Sequence, residues 1–151
     1  MLEGQIALVT GARGIGGACA KLLAERGAQV IVTYKQNKDA AEKLVAEIQT
    51  TGGKAQAIQL DVLDADQIKG AVDHIRQTFG RLDILVSNAA VGWIVKPFEQ
   101  LEWSEFASVV DSELKAAFNL TQAVLPLMRQ QKSGRLIYMS SNLATHTLPD
   151  S

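Results

Sequence analysis

Short apolar runs alternate with apolar positions at helical spacing along the whole chain. Ile6-Ala7-Leu8-Val9 is a continuous run ahead of a glycine turn, the pattern of a strand buried on both faces. Val30-Ile31-Val32, Ala55 to Leu60, Leu82 to Val86 and Leu136-Ile137-Tyr138-Met139 repeat it. Three stretches between them carry one apolar face each: Ile15, Cys19, Leu22 and Leu23; Ala41, Leu44, Val45 and Ile48; Ile68, Val72, Ile75 and Phe79. Spacings of three and four residues predict helices there. The longest helix is predicted from about Ser104 to Met128, with Phe106, Val109, Val110, Leu114, Ala117, Val124 and Met128 as its apolar positions. Gly27, Gly52-Gly53, Gly80 and Ser133-Gly134 close the helices, and Asp64 caps the third. Leu143 to Ser151 reads as irregular.

Strict alternation of strand and helix implies βαβ units and a parallel sheet covered on both faces, a three-layer α/β/α domain. Ligands bind such sheets at the C-terminal strand ends. Five segments fall there: Gly11–Gly16, Tyr34–Lys35, Asp61–Val62, Ser87–Ala90 and Ser140–Asn142. All are small or polar, as a ligand rim requires, although strand ends need turn residues in any case. The first is the most informative. Thr10-Gly11-Ala12-Arg13-Gly14-Ile15-Gly16 runs a strand through a glycine turn into a helix start. Unpartnered N–H groups and the helix dipole make that junction an anion site.

Composition narrows the function classes. The 151 residues suffice for one domain with a sizeable core. With 47% hydrophobic and 21% charged residues the chain reads as an ordinary globular protein. A formal net charge of -1, with both signs interspersed, argues against nucleic acid or an anionic membrane as partner. The single cysteine, Cys19, excludes an internal disulfide, fits a reducing compartment and reads as core packing on its helix face. His74 reads as a surface residue, and no metal site is expected. No signal segment or spanning apolar run is recognisable, so a cytoplasmic location is expected.

The ordered motifs resemble those of the short-chain dehydrogenase/reductase family. Thr10-Gly11, Gly14-Ile15-Gly16, Asp61-Val62, Asn88-Ala89-Ala90, Phe118 to Ala123, Gly134 to Ile137 and Ser140-Ser141 carry the likeness along the whole sequence. The resemblance implies a doubly wound, Rossmann-like sheet of strand order 3-2-1-4-5 and a nicotinamide cofactor. Its reaction would be hydride transfer to or from a carbonyl or alcohol carbon, for example on a 3-oxoacyl group or a small ketone. The implied cofactor-binding residues are Gly11, Arg13, Gly14, Ile15, Gly16, Tyr34, Lys35, Asp61, Val62, Asn88, Ala89 and Ala90. Ser141 is similar to the serine that hydrogen-bonds the substrate oxygen. Members that prefer NAD carry an acidic residue at the end of the second strand; here Tyr34 and Lys35 stand there, and Arg13 precedes Gly14. Charge complementarity to a 2′-phosphate therefore favours NADP(H) over NAD(H).

The sequence departs from the family pattern in four places. The glycine turn is one residue short between Gly11 and Gly14. Ala90 stands where the family has glycine, with a methyl that could narrow the nicotinamide ribose site. Glu113 stands where a helix asparagine supports the proton relay, and a glutamate could carry protons in its place. The Tyr-x-x-x-Lys pair would fall beyond Ser151. The expectation is the N-terminal part of a longer reductase, a homo-oligomer when complete and inactive in these 151 residues alone. The competing expectation is a non-catalytic dinucleotide-binding or interaction domain. Trp93 is expected to face either substrate or a neighbouring subunit.

Overall fold

A computed structural model describes residues 1–89 and 94–141. Ala90, Trp93, Asn142 and the tail from Leu143 lie outside the described residues, and so do the expectations placed on them. Five parallel strands, β1 (Ile6–Thr10), β2 (Gln29–Tyr34), β3 (Lys54–Gln59), β4 (Ile84–Ser87) and β5 (Arg135–Tyr138), form one sheet in the order β3-β2-β1-β4-β5. This is the order expected, with the reversal between β1 and β4.

Alternation along each strand feeds two cores. Leu8, Ile31 and Leu85 point to one side, with Ile68 and Ile75 of α3 (Ala65–Phe79) and Leu120 and Val124 of α5 (Ala116–Gln131). Ala7, Val9, Val30, Val32 and Val86 point to the other, with α1 (Gly14–Glu25) and α2 (Lys38–Thr50). Helices on both faces make the three layers.

The face of α1 differs from the expectation. Ile15 and Leu22 are exposed, whereas Gly16, Gly17, Ala20 and Ala24 are buried. Close approach explains the swap. A Cβ on Gly17 would lie 2.9 Å from the Ala12 carbonyl oxygen, and one on Gly16 only 2.3 Å from that of Gly11. The helix lies too near the β1 turn for side chains there, so its small residues face the sheet.

The long helix also differs. It is divided into α4 (Trp103–Val110), a π-helical turn (Asp111–Lys115) and α5. The extra residue of a π turn rotates the helix face. The buried side of α5 is Ala116, Asn119, Leu120, Val124, Leu127 and Met128, while Phe106, Val110, Leu114 and Phe118 form a second, exposed apolar stripe. Ladder pairing of the fourth strand begins at Ile84 rather than Leu82. No helix of the described residues is long and apolar enough to cross a membrane.

Candidate functional site

The C-terminal strand ends converge on a cleft of about 810 Å³. Gly11, Arg13, Tyr34, Lys35, Asn88 and Ala89 line it, together with Gln36, Asn37 and Lys38 at the start of α2. An adjoining recess of about 100 Å³ shares Gly11, Tyr34, Lys35 and Ala89 and adds Asp61, Val62 and Ser112. Eight of the expected residues, drawn from four strand ends, are thus brought together.

Thr10 fixes the floor. Its buried hydroxyl oxygen accepts from the backbone N–H groups of Asn88 at 2.9 Å and Ala89 at 3.0 Å, and its O–H faces the Val86 carbonyl at 3.4 Å. Asn88 Nδ2 returns a bond to the Thr10 carbonyl at 3.0 Å. The end of β4 is therefore latched to the end of β1. Gly11 has φ of 87° and Gly14 of 54°, so both turn positions use the backbone region that glycine enters freely. Gly16 is buried beneath this turn against Gly11 and Asn88. It shapes the loop from behind rather than lining the cleft.

The start of α1 is suited to an anion. Arg13 at its N-cap gives no side-chain capping bond, and the first turn holds no acidic residue. The neighbouring helices are capped internally: Asn37 accepts from the Ala40 N–H, and Asp64 from those of Asp66 and Gln67. Each also carries an acidic residue in its first turn. The α1 amides are thus left to an outside acceptor, and a phosphate is the matching group. Together with small residues on the floor and cations at the rim, the chain fits a dinucleotide.

Lys35 and Asp61 meet at the opening between cleft and recess. Lys35 Nζ lies 2.7 Å from Asp61 Oδ2, with the lysine side chain 58% exposed and the aspartate 25%. The other carboxylate oxygen accepts from the Leu63 N–H at 3.0 Å. The Lys35 hydrogen bond, then that of Leu63, holds the Asp61 carboxyl below the usual carboxylate range. Sequence reading set Lys35 against a 2′-phosphate and counted Asp61 among the cofactor-binding residues, and did not foresee that they pair.

The remaining expected residues stand apart. Ile15 is exposed at the start of α1, and Gly14 borders a separate shallow cleft with Gly17 and Lys21. Glu113 is exposed on the π turn, and Ser141 is exposed just beyond β5. Neither lines the cleft or the recess. Tyr138, inside β5, has its hydroxyl 2.5 Å from that of Thr121 and is likewise remote from the cleft lining.

Ser112, Asn37 and Lys38 are lining residues that sequence reading missed. Asn37 had a usable signal, since an asparagine just before a helix is a cap. Ser112 had none: its hydroxyl bonds the Val109 carbonyl at 2.9 Å, and only the packing of the π turn on the sheet end brings it to the recess.

Comparison with known proteins gives a consistent set of relatives. The family model described as short chain dehydrogenase matches residues 5–150. The 3-oxoacyl-(acyl-carrier-protein) reductase of Staphylococcus aureus is 42% identical over 138 residues, covering 89% of this chain and 55% of that protein. The corresponding reductase of Synechocystis is 41% identical over 141 residues, covering 93% and 57%. Among solved structures, a metagenomic short-chain oxidoreductase in complex with NADP superposes with a TM-score of 0.90 at 34% identity, covering 99% of this chain and 68% of that one. A short-chain dehydrogenase of Burkholderia cenocepacia, also in complex with NADP, gives 0.86 at 36%, covering 97% and 59%. The chain thus spans somewhat over half the length of the curated relatives it matches.

Proposed function

Because the chain belongs to the short-chain dehydrogenase family, we propose that it is the cofactor-binding portion of an NADP(H)-dependent carbonyl reductase. The observation that carries the cofactor choice is the placement of Arg13 and Lys35 on one cleft beside the uncapped start of α1. Gly11 and the α1 amides would take the pyrophosphate. Arg13 and Lys35 would take the 2′-phosphate, as charge-assisted donors do. Asp61 and Val62 would border the adenine in the recess, and Asn88 and Ala89 the ribose next to the nicotinamide. NADP(H), when bound, supplies the hydride. Ser141 would donate its O–H to the substrate oxygen, and Glu113, exposed beside Ser112, would exchange protons with solvent.

The substrate class we favour is a 3-oxoacyl group, on the likeness to the two reductases of that name. The exposed stripe of Phe106, Val110, Leu114 and Phe118 fits a homo-oligomer contact.

Calorimetric titration with NADPH and NADH tests the cofactor reading. Tighter NADPH binding is expected, and the double substitution R13Q with K35Q should cut the preference about tenfold or more, the loss of two charge-assisted phosphate contacts. Equal affinity for the two dinucleotides in the unmodified chain would overturn it. NADPH binding by the complete protein without turnover of any 3-oxo thioester would instead favour a binding domain without chemistry.

A further inference from the structure

We propose that Asp61 is an internal competitor for Lys35, so that the pair sets how strongly the chain prefers a dinucleotide bearing a 2′-phosphate. The inference rests on the NADP(H) reading above and adds a specificity-determining residue to it.

Strand register brings the two together. β2 and β3 run parallel with Tyr34 opposite Gln59, and the Leu60 N–H continues the ladder to the Tyr34 carbonyl at 2.8 Å. That register sets Lys35 opposite Leu60, with Asp61 one residue further along, and the Lys35 and Asp61 side chains close across this one-residue offset at 2.7 Å. Lys35 lines both cleft and recess; Asp61 lines only the recess. The ion pair therefore ties the ammonium to a carboxylate that lines the recess and not the larger cleft.

A dinucleotide with a 2′-phosphate must draw Lys35 off this carboxylate before the contact forms. One without the phosphate requires no exchange. Asp61 thus lowers the preference that Lys35 creates. The other nearby cations do not compensate for it in the same way. Lys38 is itself tied to Glu42 at 3.4 Å, and Arg13 approaches from the glycine turn. The division of labour on Asp61 makes the test clean: Oδ2 holds Lys35, while Oδ1 holds the Leu63 N–H at 3.0 Å. Asparagine keeps the second acceptor and removes the charge.

The experiment compares adenosine 2′,5′-bisphosphate with 5′-AMP by calorimetry, and reads the ratio of affinities. D61N should raise that ratio about two- to fivefold, the equilibrium equivalent of a part-exposed ion pair. The same substitution in a K35Q background should leave the ratio unchanged. An unchanged or lower ratio in D61N, or an equal rise with and without Lys35, overturns the inference. The K35Q single variant separates the two readings: if it lowers the ratio while D61N does nothing, the NADP(H) reading stands and the competitor role falls. A measurement on the unmodified chain guards against a folding defect. NMR titration of the Asp61 carboxyl should move to higher pH on saturation with the bisphosphate by more than with 5′-AMP, and this excess should be larger in the unmodified chain than in K35Q, where only repulsion by the phosphate remains. Equal movement with both ligands refutes the competition.

Discussion

Gly16→Ala is expected to abolish dinucleotide binding and to destabilise the fold by about 2–3 kcal/mol, at the upper end for overpacking a tight site. The added methyl would sit 2.3 Å from the Gly11 carbonyl oxygen and 2.5 Å from Asn88 Nδ2. The first is backbone and cannot swing aside. Relief requires α1 to move off the sheet or the Gly11 turn to shift. Either movement displaces the α1 amides and pulls Asn88 from the Thr10 carbonyl, so the phosphate cradle and the β1–β4 latch fail together. Gly70→Ala in α3 is the control. A Cβ there meets nothing within 4 Å and the residue is exposed, so the helix should gain about 0.5–1 kcal/mol. Denaturant unfolding with parallel NADPH titration measures both variants. Normal binding by G16A would show that the α1 start does not hold the cofactor.

Asp83→Ala should cost about 2–3 kcal/mol, read as a fall in melting temperature of roughly 5–10 °C. Asp83 is buried at the entry to β4. Its Oδ2 accepts from the Ile6 N–H at 2.9 Å and from Arg81 Nε at 2.9 Å, and its Oδ1 from Arg81 Nη2 at 2.7 Å. Its backbone continues the same staple: its N–H donates to the Ile6 carbonyl, and its carbonyl accepts from the Arg135 N–H, both at 2.8 Å. One residue thus joins β1, β4 and β5 at the end of the sheet opposite the cleft. Truncation leaves the Ile6 N–H unsatisfied and Arg81 without its carboxylate.

Acid should reveal the same interaction. Burial pushes the Asp83 carboxyl up, but the Arg81 hydrogen bonds, the Ile6 N–H and the Arg81 charge outweigh it and hold it below the usual range. A carboxyl lowered in the folded state stabilises fully above its unfolded value, about pH 4, and loses that contribution as pH falls through the lower folded value. The gap in stability between the unmodified chain and D83N should therefore be constant from neutrality to about pH 4 and shrink below it. A gap that stays constant into stronger acid would show that the carboxylate charge does not carry the effect.

Much of the fold was legible because burial in a parallel α/β domain is written as local periodicity. Runs such as Ile6 to Val9 and Val30 to Val32 announce two-sided strands, and the spacing of Ile68, Val72 and Ile75 announces the α3 face. The same reading erred on α1. Ile15 and Leu22 satisfy the spacing rule, yet the sheet selects Gly16, Gly17, Ala20 and Ala24 because the backbone comes too close for anything larger. Periodicity reports hydrophobic spacing and carries no information on interaxial distance. It erred again along the long helix, where Phe106, Val110 and Leu114 are exposed ahead of and within the π turn, while Val124 and Met128 are buried as their spacing predicts.

Element order, the glycine turn and the residue types at four strand ends (Gly11, Lys35, Asp61 and Asn88) are legible in the linear sequence. These follow from residue type and position within a few neighbours, which a linear reading can weigh. Tertiary structure alone decided which of them touch. Lys35 meets Asp61 because β2 and β3 are paired neighbours whose ends, Tyr34 and Gln59, lie side by side, and the two side chains reach across a one-residue offset. Thr10 latches Asn88 because β1 and β4 are neighbours across the strand-order reversal. Asp83 becomes a buried staple because Ile6 and Arg81 both reach it. Each is a contact within a few ångströms between groups set side by side through strand pairing or a sharp local turn. Their strength depends on distance and burial, which are properties of the packed sheet and not of any segment of the chain.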